Sequence, residues 1–324
     1  MTTILVTGTG AIIGYGILRA FRKSDRYIRL IGADIYDDAV GQAWADKFVL
    51  APLTSSNHYL NWLEKVIVEN HINLVMPGIE QDVHFFSEHR NFFNSIPVNV
   101  ALNDQRLINL TRDKWLMHQE LLGINSEIRI PSYIEGDFES LSKKLGVPFI
   151  LKPRCSYASK GLVRIQSKAD FMFLSDKLGG ILMAQPIIGS DNEEYTVAVF
   201  GNGQGQVCAS ITLQRRLAAD GSTAKAWVRQ HDKLDEVVAS LCAHFKPIGP
   251  TNLQFRRDGN CWKLLEINPR ISSTTSLRTA FGYNEPEMCL NFYLEGKKII
   301  QPTIKKGFAV RYIEDCVIYD RDHF

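Results

Sequence analysis

Gln254, Glu266 and Asn268 have the types and spacing of a hard-cation site. Asp258, Gly259 and Asn260 read as a three-residue hairpin loop, which pairs Arg257 with Cys261 and sets Gln254 opposite Leu264. Side chains alternate along a strand, so Gln254, Glu266 and Asn268 project from one face. Such a set suits Mg2+, which keeps waters and takes phosphate oxygens as its other ligands. A glutamate is seldom buried in a strand unless a cation or a hydrogen-bond donor meets it there. Arg270 follows with a planar fork suited to a phosphoryl group in transfer.

Other residues are ambiguous in isolation. Lys152 ends an apolar strand-like run and Lys114 opens a helical segment, and single lysines at such places are usually only solvated. Between residues 155 and 161 lies a loop of small and basic residues, Ser159 and Lys160 among them, whose N–H groups could close over phosphates. Cys155 has no histidine near it in sequence and reads as a small loop residue rather than a nucleophile. The basic stretch Gln214-Arg215-Arg216, with Lys225 and Arg229, is a candidate for the γ-phosphate or a substrate carboxylate, with Arg216 as the chosen residue. A charge run of this kind is more often a solvated face. Gly8, Gly10 and Gly14 follow a strand and open a helix, and Asp34 closes the second strand. That pattern tempts an NAD(P)-dependent nucleotide-sugar reductase or epimerase reading, although the spacing is GxGxxxG and such a turn also simply packs well. The Tyr293 to Lys297 match to Tyr-x-x-x-Lys falls far from that loop in sequence.

Taken in order, Arg112-Asp113-Lys114, Ile150-Leu151-Lys152-Pro153, the 154–161 loop, Gln185-Pro186-Ile187-Ile188-Gly189, Glu194-Tyr195-Thr196-Val197, Asn252-Leu253-Gln254-Phe255 and Leu265-Glu266-Ile267-Asn268-Pro269-Arg270 resemble the ATP-grasp superfamily. The whole chain, including its glycine-rich start, is most similar to the carbamoyl phosphate synthetase large-chain type. The resemblance implies ATP and Mg2+ as cofactors, with two ions expected and Mn2+ an acceptable substitute. It assigns Lys114, Lys152, Ser159 and Lys160 to the phosphates, Gln185 and Ile187 to the adenine edge through their backbone, and Glu194 to the ribose, with Glu193 as the fallback. Glu266 would bridge the ions, completed by Asn268 and Gln254, and Arg270 and Arg216 would be catalytic. The implied activity is an ATP-dependent carboxylate–amine ligase that forms an amide or peptide bond through an acyl phosphate. Full carbamoyl phosphate synthesis is disfavoured, because one set of motifs and no glutaminase segment are present. The competing readings are the nicotinamide-dependent enzyme and an ATP-binding module without catalysis.

The elements that must position these residues follow from the apolar pattern. Runs 4–6, 29–33 and 74–76 read as buried parallel strands around helix-period segments, a doubly wound unit over 1–110. A two-part ATP-grasp fold would follow: a small α+β unit over 111–190, then an antiparallel sheet covered by helices over 191–324. The fold class is thus α/β plus α+β. With 324 residues, 45% of them hydrophobic, and a net charge of +2, the chain is globular and has no global field for nucleic acid. Six scattered cysteines without a CxxC pair suggest reduced thiols and a cytoplasmic protein, and no apolar stretch reaches membrane-spanning length. Expected partners are a small-molecule carboxylate and an amine, with neither nucleic acid nor membrane; a homodimer is left open.

Overall fold

The computed structural model describes residues 1–124, 127–155 and 161–317, so Ser159 and Lys160 lie outside the described residues. Short apolar runs buried on both faces form the first sheet. β1 (Thr2–Val6), β2 (Ile28–Asp34), β3 (Lys47–Leu50), β4 (Leu74–Met76) and β5 (Asn99–Val100) pair in parallel in the order β3-β2-β1-β4-β5. The winding reverses between β1 and β4, and a crevice therefore opens at their C-terminal ends. Helices α1 (Ile12–Phe21), α2 (Tyr59–Asn70) and α3 (Glu80–Glu88) follow β1, β3 and β4. Glycines at the start of α1 and just after β4 allow close packing against the turn that follows β1. A Cβ on Gly14 would meet the Gly8 carbonyl oxygen at 2.2 Å, and one on Gly78 would meet Thr7 O at 2.2 Å.

β6 (Phe149–Pro153), β7 (Val163–Ile165) and β8 (Leu182–Pro186) make a three-stranded antiparallel sheet in the order β7-β6-β8. Its own small core includes Leu141, Phe149, Leu151 and Phe171. The third sheet holds β9 (Glu194–Asn202), β10 (Val207–Leu217), β11 (Thr223–Arg229), β12 (Ile248–Asp258), β13 (Cys261–Asn268) and β14 (Phe308–Val310). These six strands are antiparallel in the order β13-β12-β9-β10-β11-β14.

The β12–β13 hairpin corrects the expected register. Asp258 pairs with Cys261 and Arg257 with Trp262, so the loop is the two residues Gly259 and Asn260, with Gly259 at φ +59°. A two-residue loop favours such left-handed glycines. The register then shifts between Gln254 and Phe255, because Leu265 is an extra residue on β13, and Gln254 faces Glu266 rather than Leu264. This bulge matters, since an unbroken ladder would put Gln254 opposite Leu265 and turn Glu266 to the apolar side with Leu253.

The six-stranded sheet is buried on both faces. Phe200, Ile211 and Leu213 share one core with Ile4, Ile17 and Leu30 of the first sheet and its helix. On the other face Val197, Val199, Leu253 and Phe255 pack with Leu234, Val238 and Leu241 of helix Asp232–Phe245, and with Leu107, Met117 and Leu121. Leu107, Met117 and Leu121 thus join the core of the large sheet and Ile108 that of the parallel sheet, none of them that of the three-stranded one.

Candidate active site

The face of the six-stranded sheet that packs on α1 is apolar along Ala198, Phe200 and Ile211 but polar at its other end. Glu194, Thr196, Asn252, Gln254, Glu266 and Asn268 occupy successive same-side positions there, because Gln254 pairs with both Thr196 and Glu266, and Asn252 with both Ala198 and Asn268. This polar end floors a cavity of about 690 Å3. The three-stranded sheet supplies Lys152 and Arg164 to it, and the segment after β8 supplies Ile187.

Most of the sequence candidates meet in this cavity. Lys114, Lys152, Gln185, Ile187 and Glu194 line it, as do Gln254, Glu266, Asn268 and Arg270. Lys114 is the first residue of helix Lys114–Glu120, whose N-cap Asp113 accepts from Trp115 N and pairs with Arg154 at 2.6 Å. Lys114 N also donates to Arg154 O at 2.9 Å, so the segments carrying the two lysines are tied together just beyond β6. Burial and the nearby Lys114 charge pull the Lys152 ammonium down to about 8, while Glu266 acts the other way. Both cations and the glutamate line this one cavity.

Arg270 donates to Glu80 Oε2 at 2.8 Å and to Asn268 Oδ1 at 3.2 Å. Glu80 begins α3 and is a site residue that no spacing in the sequence pointed to. Burial pushes its carboxyl up, but the His84 hydrogen bond and the Arg270 charge outweigh this and hold it at about 2. Asn268 Nδ2 donates to Glu266 Oε1 at 3.0 Å, which keeps the two side chains together.

Arg216 is corrected by its neighbour. Alternation turns Arg216 to the opposite face of β10, exposed, with its guanidinium 5.8 Å from the Trp227 ring centre. Lys225 pairs with it across the ladder, and Arg229 bonds Gln214 on the same outer side. Arg215 instead enters the site, donating to Glu194 Oε1 at 2.7 Å and to Gln254 Oε1. Arg256 takes the other Glu194 oxygen at 2.6 Å. Glu194 is therefore a buried carboxylate braced by two guanidiniums, with Arg215 Nε and Arg256 Nε buried and unpaired. Glu193 lies off the cavity and accepts from the Tyr195 hydroxyl at 3.3 Å. Finding Arg215 from sequence required knowing that β10 pairs it with Glu194, a contact 21 residues apart.

The glycine loop is engaged differently from a dinucleotide site. Asp34 Oδ2 accepts from Gly10 N at 2.7 Å and its Oδ1 from Tyr36 N at 3.2 Å, so the acid satisfies the turn itself. Tyr293 is half-buried and donates to Leu102 O and Ile248 O, a structural role. No helix among the described residues is long and apolar enough to cross a membrane.

Residues 182–316 match the family described as ATP-grasp in the biosynthetic pathway with Ter operon. That stretch is an ATP-grasp domain. Residues 4–101 match a PylC-like N-terminal domain, so the parallel sheet belongs to that type. Over 312 residues the chain is 20% identical to the carbamoyl phosphate synthase large chain of Methanosarcina mazei, covering 86% of this chain and 28% of that one. It thus spans less than a third of that relative's length. Among solved structures it is similar to the biotin carboxylase domain of Hydrogenobacter thermophilus 2-oxoglutarate carboxylase, in complex with MgADP, ADP and bicarbonate. That match has a TM-score of 0.69 at 15% identity, over 95% of this chain and 73% of that one. Staphylococcus aureus N5-carboxyaminoimidazole synthetase complexed with ADP matches with a TM-score of 0.68 at 18% identity, over 94% of this chain and 80% of that one. At such identities these likenesses show a shared fold and nothing further.

Proposed function

We propose that this ATP-grasp chain is a carboxylate–amine ligase working through an acyl phosphate. The observation that carries the reading is the convergence of Lys114, Lys152, Gln254, Glu266, Asn268 and Arg270 on one cavity between two sheets. A carboxylate is a poor electrophile, and phosphorylation supplies a leaving group. One carboxylate oxygen attacks the γ-phosphorus, the bond to the β–γ bridging oxygen breaks, and ADP leaves with that electron pair. The amine nitrogen then bonds the acyl carbon, the C–O bond to phosphate breaks, and the nitrogen sheds a proton.

Lys114 and Lys152 hold the phosphates as point charges, and Arg270, oriented by Glu80, meets the group in transfer. Gln185 C=O and Ile187 N–H read the adenine edge, and Glu194, fixed by Arg215 and Arg256, accepts from the ribose. Among the described residues no three His, Cys, Asp or Glu side chains form a cage, whereas Glu266, Asn268 and Gln254 offer one carboxylate and two amide oxygens on one face. That donor set fits Mg2+ bound jointly with phosphate oxygens, one or two ions, with Mn2+ able to replace it. Glu266, Asn268 and Gln254 would hold the metal, which would supply positive charge to offset that developing on the phosphoryl oxygens. Small-molecule substrates, a cytoplasmic setting and a homodimer belong to the same proposal.

The test is ADP release across carboxylate and amine pairs, with hydroxylamine present to trap the acyl phosphate. Wild type should yield a hydroxamate. Glu266→Gln keeps the shape but loses the charge, so turnover should fall by about 100-fold or more while adenosine binding stays within about twofold. Normal Glu266→Gln rates, or turnover without hydroxamate, would overturn the mechanism.

A further inference from the structure

A second cavity, of about 1050 Å3, lies over the C-terminal ends of β1, β2 and β4, at the switch in strand order. It shares Glu80, Lys114, Glu266 and Asn268 with the nucleotide cavity, so the two meet where the phosphoryl group would be transferred. Its mouth carries exposed apolar side chains, Ile35, Tyr36 and Leu53, which are 40, 64 and 59% exposed, and Tyr59 and Phe85 form an inner aromatic wall.

Two carboxylates line this cavity below that rim, Asp34 and Asp82, 7 and 2% exposed. Among the described residues their hydrogen-bond donors are all uncharged. Asp34 accepts from two backbone N–H groups, and Asp82 from the Thr7 hydroxyl at 2.5 Å, the Thr54 hydroxyl at 2.6 Å and the Tyr59 hydroxyl at 3.5 Å. Two less buried acids on the wall do have cationic partners: Glu80 pairs with Arg270, and Glu88 with Arg112. Buried carboxylates normally have a countercharge, and among the described residues neither of these two has an ion-pair partner. Burial pushes the Asp82 carboxyl up, the three hydroxyls pull it back, and the Asp34 charge adds to the rise, while both acids line the same cavity.

We infer that this cavity takes the amine substrate of the ligase as a compound with two basic nitrogens on an apolar chain, one held protonated between Asp34 and Asp82 and the other delivered to the shared wall. The inference rests on the proposed ligase reading and names its acceptor class. The distal ammonium supplies the missing countercharge and the chain lies along the aromatic wall. The delivered nitrogen, as the free amine, forms the C–N bond as phosphate departs with the electrons of the acyl C–O bond. Its proton goes to solvent, and the distal group takes no part in the chemistry.

The experiment is calorimetric titration of the full chain with 1,5-diaminopentane, 1-aminopentane and glutarate, with and without saturating ATP. The diamine should bind about tenfold or more tightly than the other two, the size of one charge-assisted contact. Asp34→Asn with Asp82→Asn should erase that preference. Leu53→Trp, at an exposed position that leaves both acids in place, should block the diamine while ATP affinity is retained. Equal binding of monoamine and diamine, a preference for glutarate, displacement of the diamine by ATP, or unchanged diamine binding in Leu53→Trp would each overturn the assignment. Hydroxamate formation and ATP binding report on the ligase reading separately. If they persist while the diamine fails to bind, only this inference falls; diamine binding without ADP release from any substrate pair would sink the ligase reading instead.

Discussion

Lys152 shows how a site residue acquires a working range from its surroundings. Its ammonium is held near 8 by burial and by Lys114, well below the ordinary lysine value. A bound phosphate favours the protonated form and raises that pKa, so ATP binding takes up a proton. ATP affinity should therefore be full below about pH 8 and fall above it by at most about tenfold per pH unit. Titrations between pH 7 and 10 should show this slope in wild type and a weaker, flat profile in Lys152→Met. The ligand-free fold has the opposite sign: its Lys152 binds fewer protons than the unfolded chain, so this group's contribution to stability rises from about pH 8 towards the ordinary lysine pKa. Arg215 and Arg216 give a second contrast at this scale. Arg215→Ala leaves Glu194 buried with one partner fewer and should cost about 3 to 5 kcal/mol, with weaker ATP binding. Arg216→Ala removes only an exposed contact with Trp227 and should cost about 1 kcal/mol or less. Thermal melts of the two variants side by side decide it, and equal losses would mean that the face assignment fails.

At the scale of elements, glycine in α1 behaves against propensity. Replacing a helix-interior glycine by alanine usually gains about 1 kcal/mol. In Gly14→Ala the new Cβ would press on the Gly8 carbonyl and on Thr9 Cα, at 2.2 and 2.8 Å, and backbone cannot move aside cheaply. The expected result is a melting temperature several degrees lower, on the order of 1 to 3 kcal/mol. Gly123→Ala, with nothing within 4 Å of its Cβ, should change little. A stabilised Gly14→Ala would show that the loop and helix do not approach as described. The same loop explains why the glycine pattern was a poor guide to a cofactor: close approach of backbone in a strand–turn–helix and phosphate binding both need glycine.

Across the whole molecule, the parallel sheet and the six-stranded sheet are joined by a common core in which Phe200 is fully buried beside residues of β1, α1 and β2. Phe200→Ala should cost about 3 to 5 kcal/mol and lower one cooperative transition that includes both sheets. Phe149→Ala acts on the separate small core of the three-stranded sheet. It should loosen that sheet and weaken ATP binding with less effect on the main melt. Hydrogen exchange on the two variants distinguishes these outcomes. The division at residues 110 and 190 is accordingly a proposal about chain order rather than independent folding, and limited proteolysis near 190 would test it.

Local pattern was enough for the doubly wound start, because strands buried on both faces must be short and apolar, as 4–6, 29–33 and 74–76 are. It was not enough for β3 or β5, whose pairing with β2 and β4 is decided by the sheet and not by their own four and two residues. Chemistry legible from residue type and spacing, Gln254, Glu266, Asn268 and Arg270, met at one cavity even though the expected hairpin register was off, because the two-residue loop and the Leu265 bulge together preserved the face. The charges that complete the site were not legible. Arg215 against Glu194, Glu80 against Arg270 and Asp113 against Arg154 join residues 21, 190 and 41 positions apart. Alternation tells which residues share a face of one strand; which strand lies beside it, and which charge it brings, is settled only when three sheets pack.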